Sequence, residues 1–118
     1  MTEHLKQGHN AESKALRYLE RRGLRLLTRN YRTRSGEIDL IMRQGEILVF
    51  IEVRYRQSSK FGSAAESVTP AKQHKLLLTA NQFLQQNGAE TPCRFDVVGI
   101  SGRDQTEIEW IQDAFQAN

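Results

Sequence analysis

Gly36-Glu37-Ile38-Asp39-Leu40-Ile41-Met42, then a short polar break, then Ile47-Leu48-Val49-Phe50-Ile51-Glu52-Val53-Arg54-Tyr55 is the stretch whose reading decides the fold. The second run is β-branched, aromatic and almost wholly apolar, the pattern of a central strand covered on both faces. A short glycine-containing turn at Gln44-Gly45 joins the two runs, so they read as a β-hairpin. Side chains alternate along a strand, which puts Glu37 with Asp39 on one face and Glu52 with Arg54 on one face. The register then decides whether these faces coincide. A two-residue loop at Gln44-Gly45 sets Glu37 opposite Glu52, and a four-residue loop sets Asp39 opposite Glu52. Either brings all four side chains to one side, whereas a three-residue loop separates them.

Outward from the hairpin, the remaining elements follow from periodicity and turn chemistry. Upstream, a helix ends near Arg22 and is stopped by Gly23. Its start falls at Asn10, a good N-cap, or closer to Thr2. Glu12, Ala15, Leu16 and Leu19 lie on one helical stripe. Residues 24–33 read as a strand with a basic outer face. Downstream, residues 57–69 are loop-like, and Thr69-Pro70 opens a helix with Thr as N-cap and Pro at the first helical position. Its apolar face is Leu76, Leu77, Ala80, Phe83 and Leu84, and Asn87-Gly88 ends it. Residues 94–100 form another strand, and 107–115 a short strand or helix carrying Ile108, Trp110, Ile111 and Phe115. Strands and helices mixed in this order predict an α/β fold, a sheet with helices packed on it. With 118 residues, no repeats and no linker-like stretch, residues 1–118 read as one domain.

Composition narrows the function classes. A 38% hydrophobic and 26% charged chain is that of an ordinary globular protein. No apolar run approaches the roughly 20 residues of a membrane span, and the N-terminus has no signal-peptide core, so a cytoplasmic protein with no membrane partner is expected. A lone Cys93 excludes an internal disulfide and is read as a small buried side chain. His4, His9 and His74 have no zinc-ligand spacing. The net charge is only +3, yet Arg17, Arg21, Arg22, Arg25, Arg29, Arg32 and Arg34 face the single acid Glu20 within one segment, which suits a polyanion.

Chemistry concentrates in the hairpin. Opposed residues place their Cβ atoms about 4.5–5.5 Å apart and diagonal ones about 7–8 Å, both within reach of a shared ion. Glu52 ends an apolar strand, where an ionised side chain is costly unless paired or bound to metal. Clustered carboxylates repel one another, and a hard divalent cation, Mg²⁺ or Mn²⁺, relieves both penalties. Such an ion can act on a phosphate. Arg54 adds a fixed positive charge suited to two-pronged phosphate contact, and Arg56 extends it on the same face. Arg94 and Asp96 read as a structural pair, Tyr31 and Tyr55 as strand packing, and Trp110 as core cover.

Gly36-Glu37-Ile38-Asp39-Leu40-Ile41 followed by Val49-Phe50-Ile51-Glu52-Val53-Arg54 resembles the YraN family of small uncharacterised bacterial proteins. Phe61-Gly62, Lys72 and Arg94-Phe95-Asp96-Val97-Val98 fall where that family carries similar residues, and the likeness runs from about Gly8 to Ile100. The family is similar to the restriction-endonuclease-like superfamily, near the archaeal Holliday-junction resolvases. The resemblance implies a mixed sheet flanked by helices and a metal-dependent endonuclease acting on DNA, with branched or structured DNA as substrate. It implies that Asp39 and Glu52 are metal carboxylates, that Glu12 is a third acid on the first helix, and that Arg54 holds the position of the superfamily's lysine. Arginine effectively never loses its proton, so Arg54 can orient a phosphate but not act as a base. Lys72 is the residue that can substitute for it. Glu37 is expected to assist catalysis, and Arg56, Lys72, Arg32 and Arg34 to grip nucleic acid. Cutting two strands of a junction favours a homodimer. The competing readings are a non-catalytic nucleic-acid-binding module on the same scaffold and a protein-interaction adaptor.

Overall fold

The computed structural model describes residues 3–57, 62–88 and 90–116, with side chains from Asn10 onward. Phe61 and the side chains of His4 and His9 lie outside the described residues. The elements in chain order are α1 (Glu3–Arg21), β1 (Arg25–Thr33), β2 (Gly36–Gln44), β3 (Ile47–Arg56), a 3₁₀ turn (Ala65–Ser67), α2 (Pro70–Asn87), β4 (Cys93–Ser101) and β5 (Glu107–Phe115). The strands form one sheet in the order β1-β2-β3-β4-β5. β3 and β4 are parallel and every other neighbouring pair is antiparallel. A parallel pair needs a long crossover, and α2 supplies it. The fold is thus α/β, with a mixed five-stranded sheet and two helices, consistent with the restriction-endonuclease-like arrangement.

A helix packs on each face, and β3 separates the two cores. Leu48 and Phe50 join Leu76, Ala80 and Phe83 of α2. Val49 and Ile51 join Ala11, Ala15 and Leu19 of α1. That two-sided burial is why β3 reads as an unbroken apolar run. The end of α1 is a Schellman cap. Leu24 N–H donates to Leu19 O at 3.1 Å and Gly23 N–H to Glu20 O at 3.1 Å, with Gly23 at φ 94°. Leu19 and Leu24 are both buried in the same core, completing the motif's apolar contact. Thr69 caps α2 by accepting from Lys72 N–H at 3.2 Å, and Pro70 follows at the first helical position. No helix among the described residues is long and apolar enough to cross a membrane.

The structure settles or corrects several readings. α1 begins at Glu3, so Asn10 is an interior residue rather than its cap. The tail is strand β5, which extends the sheet edge. The hairpin turn is Gly45-Glu46, with Gly45 at φ 59°, because the ladder continues to Gln44↔Ile47. Within the stretch read as loop, Ser63 and Glu66 cap the 3₁₀ turn reciprocally: Ser63 N–H donates to Glu66 Oε1 and Glu66 N–H to Ser63 Oγ. Cys93 is exposed rather than buried, since it begins β4 ahead of the first β4–β5 pair, Phe95↔Phe115. Protein around its thiol nonetheless raises its pKa by desolvation.

Candidate metal and phosphate site

β2 and β3 part company at Asp39. Their ladder stops at Leu40↔Ile51, one pair short of the position that would set Asp39 opposite Glu52. Ile38 and Ile41 join the α2-side core while Leu40 and Met42 join the α1-side core, so regular alternation is interrupted between residues 38 and 40. Asn30, between the β1–β2 pairs Arg29↔Leu40 and Tyr31↔Ile38, adopts φ 57° at the same level. In place of a ladder bond, Asp39 Oδ2 accepts the N–H of Val53 at 2.8 Å. This turns an aspartate side chain into the gap where two strands separate.

Glu52 is the carboxylate across that gap. Its side chain is 7% exposed, and Lys72 Nζ in the first turn of α2 approaches its Oε2 to 3.3 Å. Burial, above all, pushes the Asp39 carboxyl up to about 9. The hydrogen bond to Glu52 and that residue's charge add to the rise, the Val53 N–H opposes it, and Glu12 adds a smaller repulsion. Two acids share one secluded place, and its seclusion opposes ionisation of Asp39.

The other predicted residues distribute around this pair. Glu12 lies near enough for Asp39 to feel its charge, but Arg29 holds it, Nε to Oε1 at 2.6 Å, with Ser13 Oγ taking the guanidinium's other branch at 2.8 Å. Glu37 is occupied by its cross-strand partner Arg32 at 3.0 Å. Arg54 turns to Ser67, Nε donating to Oγ at 3.0 Å, and Ser67 in turn donates to Ala64 O. Arg56 donates to Gly62 O at 2.7 Å, and among the described residues its buried Nε has no partner. Arg32 and Arg34 are exposed at the β1–β2 turn. Because β3 and β4 are parallel, their C-terminal ends, the first turn of α2 and the β1–β2 turn all lie at this end of the sheet.

Asp96 is a different kind of acid. It is 1% exposed and accepts from Arg94, from Trp110 Nε1 at 2.9 Å and from Asp113 N–H at 2.9 Å. Fully satisfied, it ties β5 to β4, as the reading of a structural pair required. Tyr31 packs edge-on against Phe83, and Trp110 edge-on against Tyr18.

Three residues that shape the site went unread in the sequence: Arg29, Ser67 and the backbone of Val53. The Ser63-x-x-Glu66 capping signal was there to mark the turn that carries Ser67. Nothing local marks Arg29, whose role needs α1 folded against β1.

The donor set fits a hard divalent cation as two carboxylates, with remaining positions left to water or phosphate oxygens. A cation would offset the burial, and with it the Glu52 charge, that raise the Asp39 carboxyl. Among the described residues no group of three Asp, Glu, His or Cys side chains is gathered closely enough to hold an ion. Glu12 stays on Arg29.

Fold and site together define a small α/β protein with a mixed sheet and a secluded Asp–Glu pair where two strands diverge. The chain belongs to the uncharacterised protein family UPF0102, whose family model matches residues 11–100. It is 56% identical over 110 residues to a UPF0102 protein of Methylobacillus flagellatus, covering 93% of this chain and 96% of that one. It is 53% identical to a UPF0102 protein of Nitrosococcus oceani, covering 96% and 94%. A Nitrosomonas europaea relative is 51% identical over 92% of each chain.

Proposed function

We propose that the protein is a divalent-metal-dependent endonuclease that hydrolyses phosphodiester bonds in DNA, with branched or structured DNA as the substrate class. The observation that carries this is the Asp39–Glu52 pair, two acids kept in a buried gap at a cost that a bound cation would relieve. Mg²⁺ or Mn²⁺ held by Asp39 and Glu52 would supply Lewis-acid polarisation of a phosphate oxygen.

The chain's own residues supply the rest. Val53 N–H fixes the Asp39 carboxylate. Ser67 holds the Arg54 guanidinium beside the β3–β4 ends, where it stabilises phosphate charge without exchanging a proton. Lys72 neutralises Glu52 while no cation is there, and a lysine, unlike an arginine, can release its proton to solvent and then, as the neutral amine, take a proton from an attacking water. Arg56, Arg32 and Arg34 lie at the same end of the sheet and suit contacts to flanking phosphates. Glu37 acts through Arg32, whose position it sets.

The test is incubation of the purified protein, and of Asp39→Ala and Glu52→Ala, with branched and linear DNA in Mg²⁺ or Mn²⁺. Cleavage by the wild type and its loss in both variants is expected. Cleavage that survives in both would place the activity elsewhere. Wild-type binding without cutting under any metal would instead favour the non-catalytic nucleic-acid-binding module.

A further inference from the structure

At the other end of the sheet, Arg25 and Arg43 are direct cross-strand partners in the β1–β2 ladder. Like charges placed opposite one another destabilise a strand pair. Among the described residues neither guanidinium has an ion-pair or hydrogen-bond partner, although Arg29 and Arg32 on the same strand each have an acid. Gly23, Arg25, Arg43 and Gly45 line a dip of about 230 Å³. Its two glycines have left-handed φ values of 94° and 59°, and nothing lies within 4 Å of where a Cβ would stand, so the dip is open. A repulsive pair facing an open dip is arranged for an anion that arrives from outside.

We propose that Arg25 and Arg43 form a second phosphate-binding site, separate from the Asp39–Glu52 pair, that grips the backbone of a bound duplex. This rests on the nuclease reading above and extends it to the length of substrate required. Four residues of β2 separate Arg43 from Asp39, about 13 Å at the usual strand rise. That span corresponds to roughly four base-pair steps of duplex. A duplex engaged at the carboxylates must therefore continue at least that far along the β1 edge before the arginines hold it.

The test measures binding, without cleavage, in EDTA. Wild type and the double variant Arg25→Gln, Arg43→Gln are titrated by fluorescence anisotropy with a 4-base-pair duplex closed into a hairpin by a short loop and with a 16-base-pair duplex, across a salt series. For the longer duplex, the double variant should bind about tenfold or more weakly. Its log-affinity against log-salt slope should be shallower by roughly 2, the loss of two phosphate contacts. The 4-base-pair duplex should show little difference. Thermal unfolding supplies the second readout: removing a repulsive pair leaves Tm unchanged or higher, whereas arginines with a structural role would lower it. Unchanged slope and affinity on the longer duplex, or a Tm loss that tracks the binding loss, overturns the second site and leaves the nuclease reading standing. A wild type that binds neither duplex overturns both.

Discussion

Lys72 Nζ stands 3.3 Å from Glu52 Oε2, linking the first turn of α2 to a buried carboxylate on the central strand. Arg54, two residues past Glu52 on the same strand, has its guanidinium turned to Ser67. The ammonium therefore reaches the same acid from a different element. Lys72→Met should lower stability by about 1 kcal/mol, a modest figure because the lysine side chain is 40% exposed and solvent screens the pair. Lys72→Arg should keep that stability but lose cleavage if proton release at this position matters. Thermal unfolding and single-turnover cleavage of the two variants separate the charge from the proton.

Metal-free protein should lose stability as pH rises. Asp39 keeps its proton in the fold up to about 9, whereas an unfolded aspartate releases it near 4. Between those values the folded state binds more protons, so the unfolding free energy falls with pH. The contribution is full below about pH 4 and lost by about pH 9. Asp39→Asn, which stays neutral throughout, should flatten this dependence in EDTA, and its Tm at pH 8 should exceed the wild type's. A wild-type Tm that is level or rising across pH 5–8, with no difference from Asp39→Asn, would contradict the secluded placement of the Asp39 carboxyl.

Glycine at position 99 is required by a close approach. A Cβ there would lie 2.5 Å from Ala64 Cβ. Ala64 heads the 3₁₀ turn whose Ser67 holds Arg54. Gly99→Ala should cost about 2 kcal/mol through overpacking and should also reduce phosphate-dependent activity by displacing that turn. Denaturant unfolding together with DNA affinity checks it, and a variant with unaltered stability would mean the turn moves freely.

Asp96→Ala should be severe without touching the metal. It strips the partner from Arg94 and leaves Trp110 Nε1 and Asp113 N–H without their acceptor, a loss of about 3–5 kcal/mol in a buried network. Mn²⁺ titration of whatever fraction remains folded should give the wild-type affinity. A large drop in affinity would make Asp96 part of the cation site after all.

Much of the architecture was legible in the chain because its signals are local. Thr69-Pro70 and Asn87-Gly88 bound α2, Gly23 ends α1, and the apolar run of β3 marks a strand buried on both faces. The hairpin pattern also limited the acids to a few pairings. Asp96, similar in composition to Asp39, was recognisable as structural only through Arg94 two residues before it.

By itself the sequence determined which segments become helix or strand, the 107–115 tail excepted, because periodicity and turn residues act over a few neighbours. It likewise singled out Asp39 and Glu52 as acids misplaced in an apolar setting. Only the tertiary structure decided where the β2–β3 ladder stops, the strand divergence that gives Asp39 the Val53 N–H, and the packing that brings Lys72 to Glu52, Arg29 to Glu12 and Ser67 to Arg54. Those contacts join residues on different elements, and no local pattern specifies how far one element slides or turns against another until both faces of the sheet are packed.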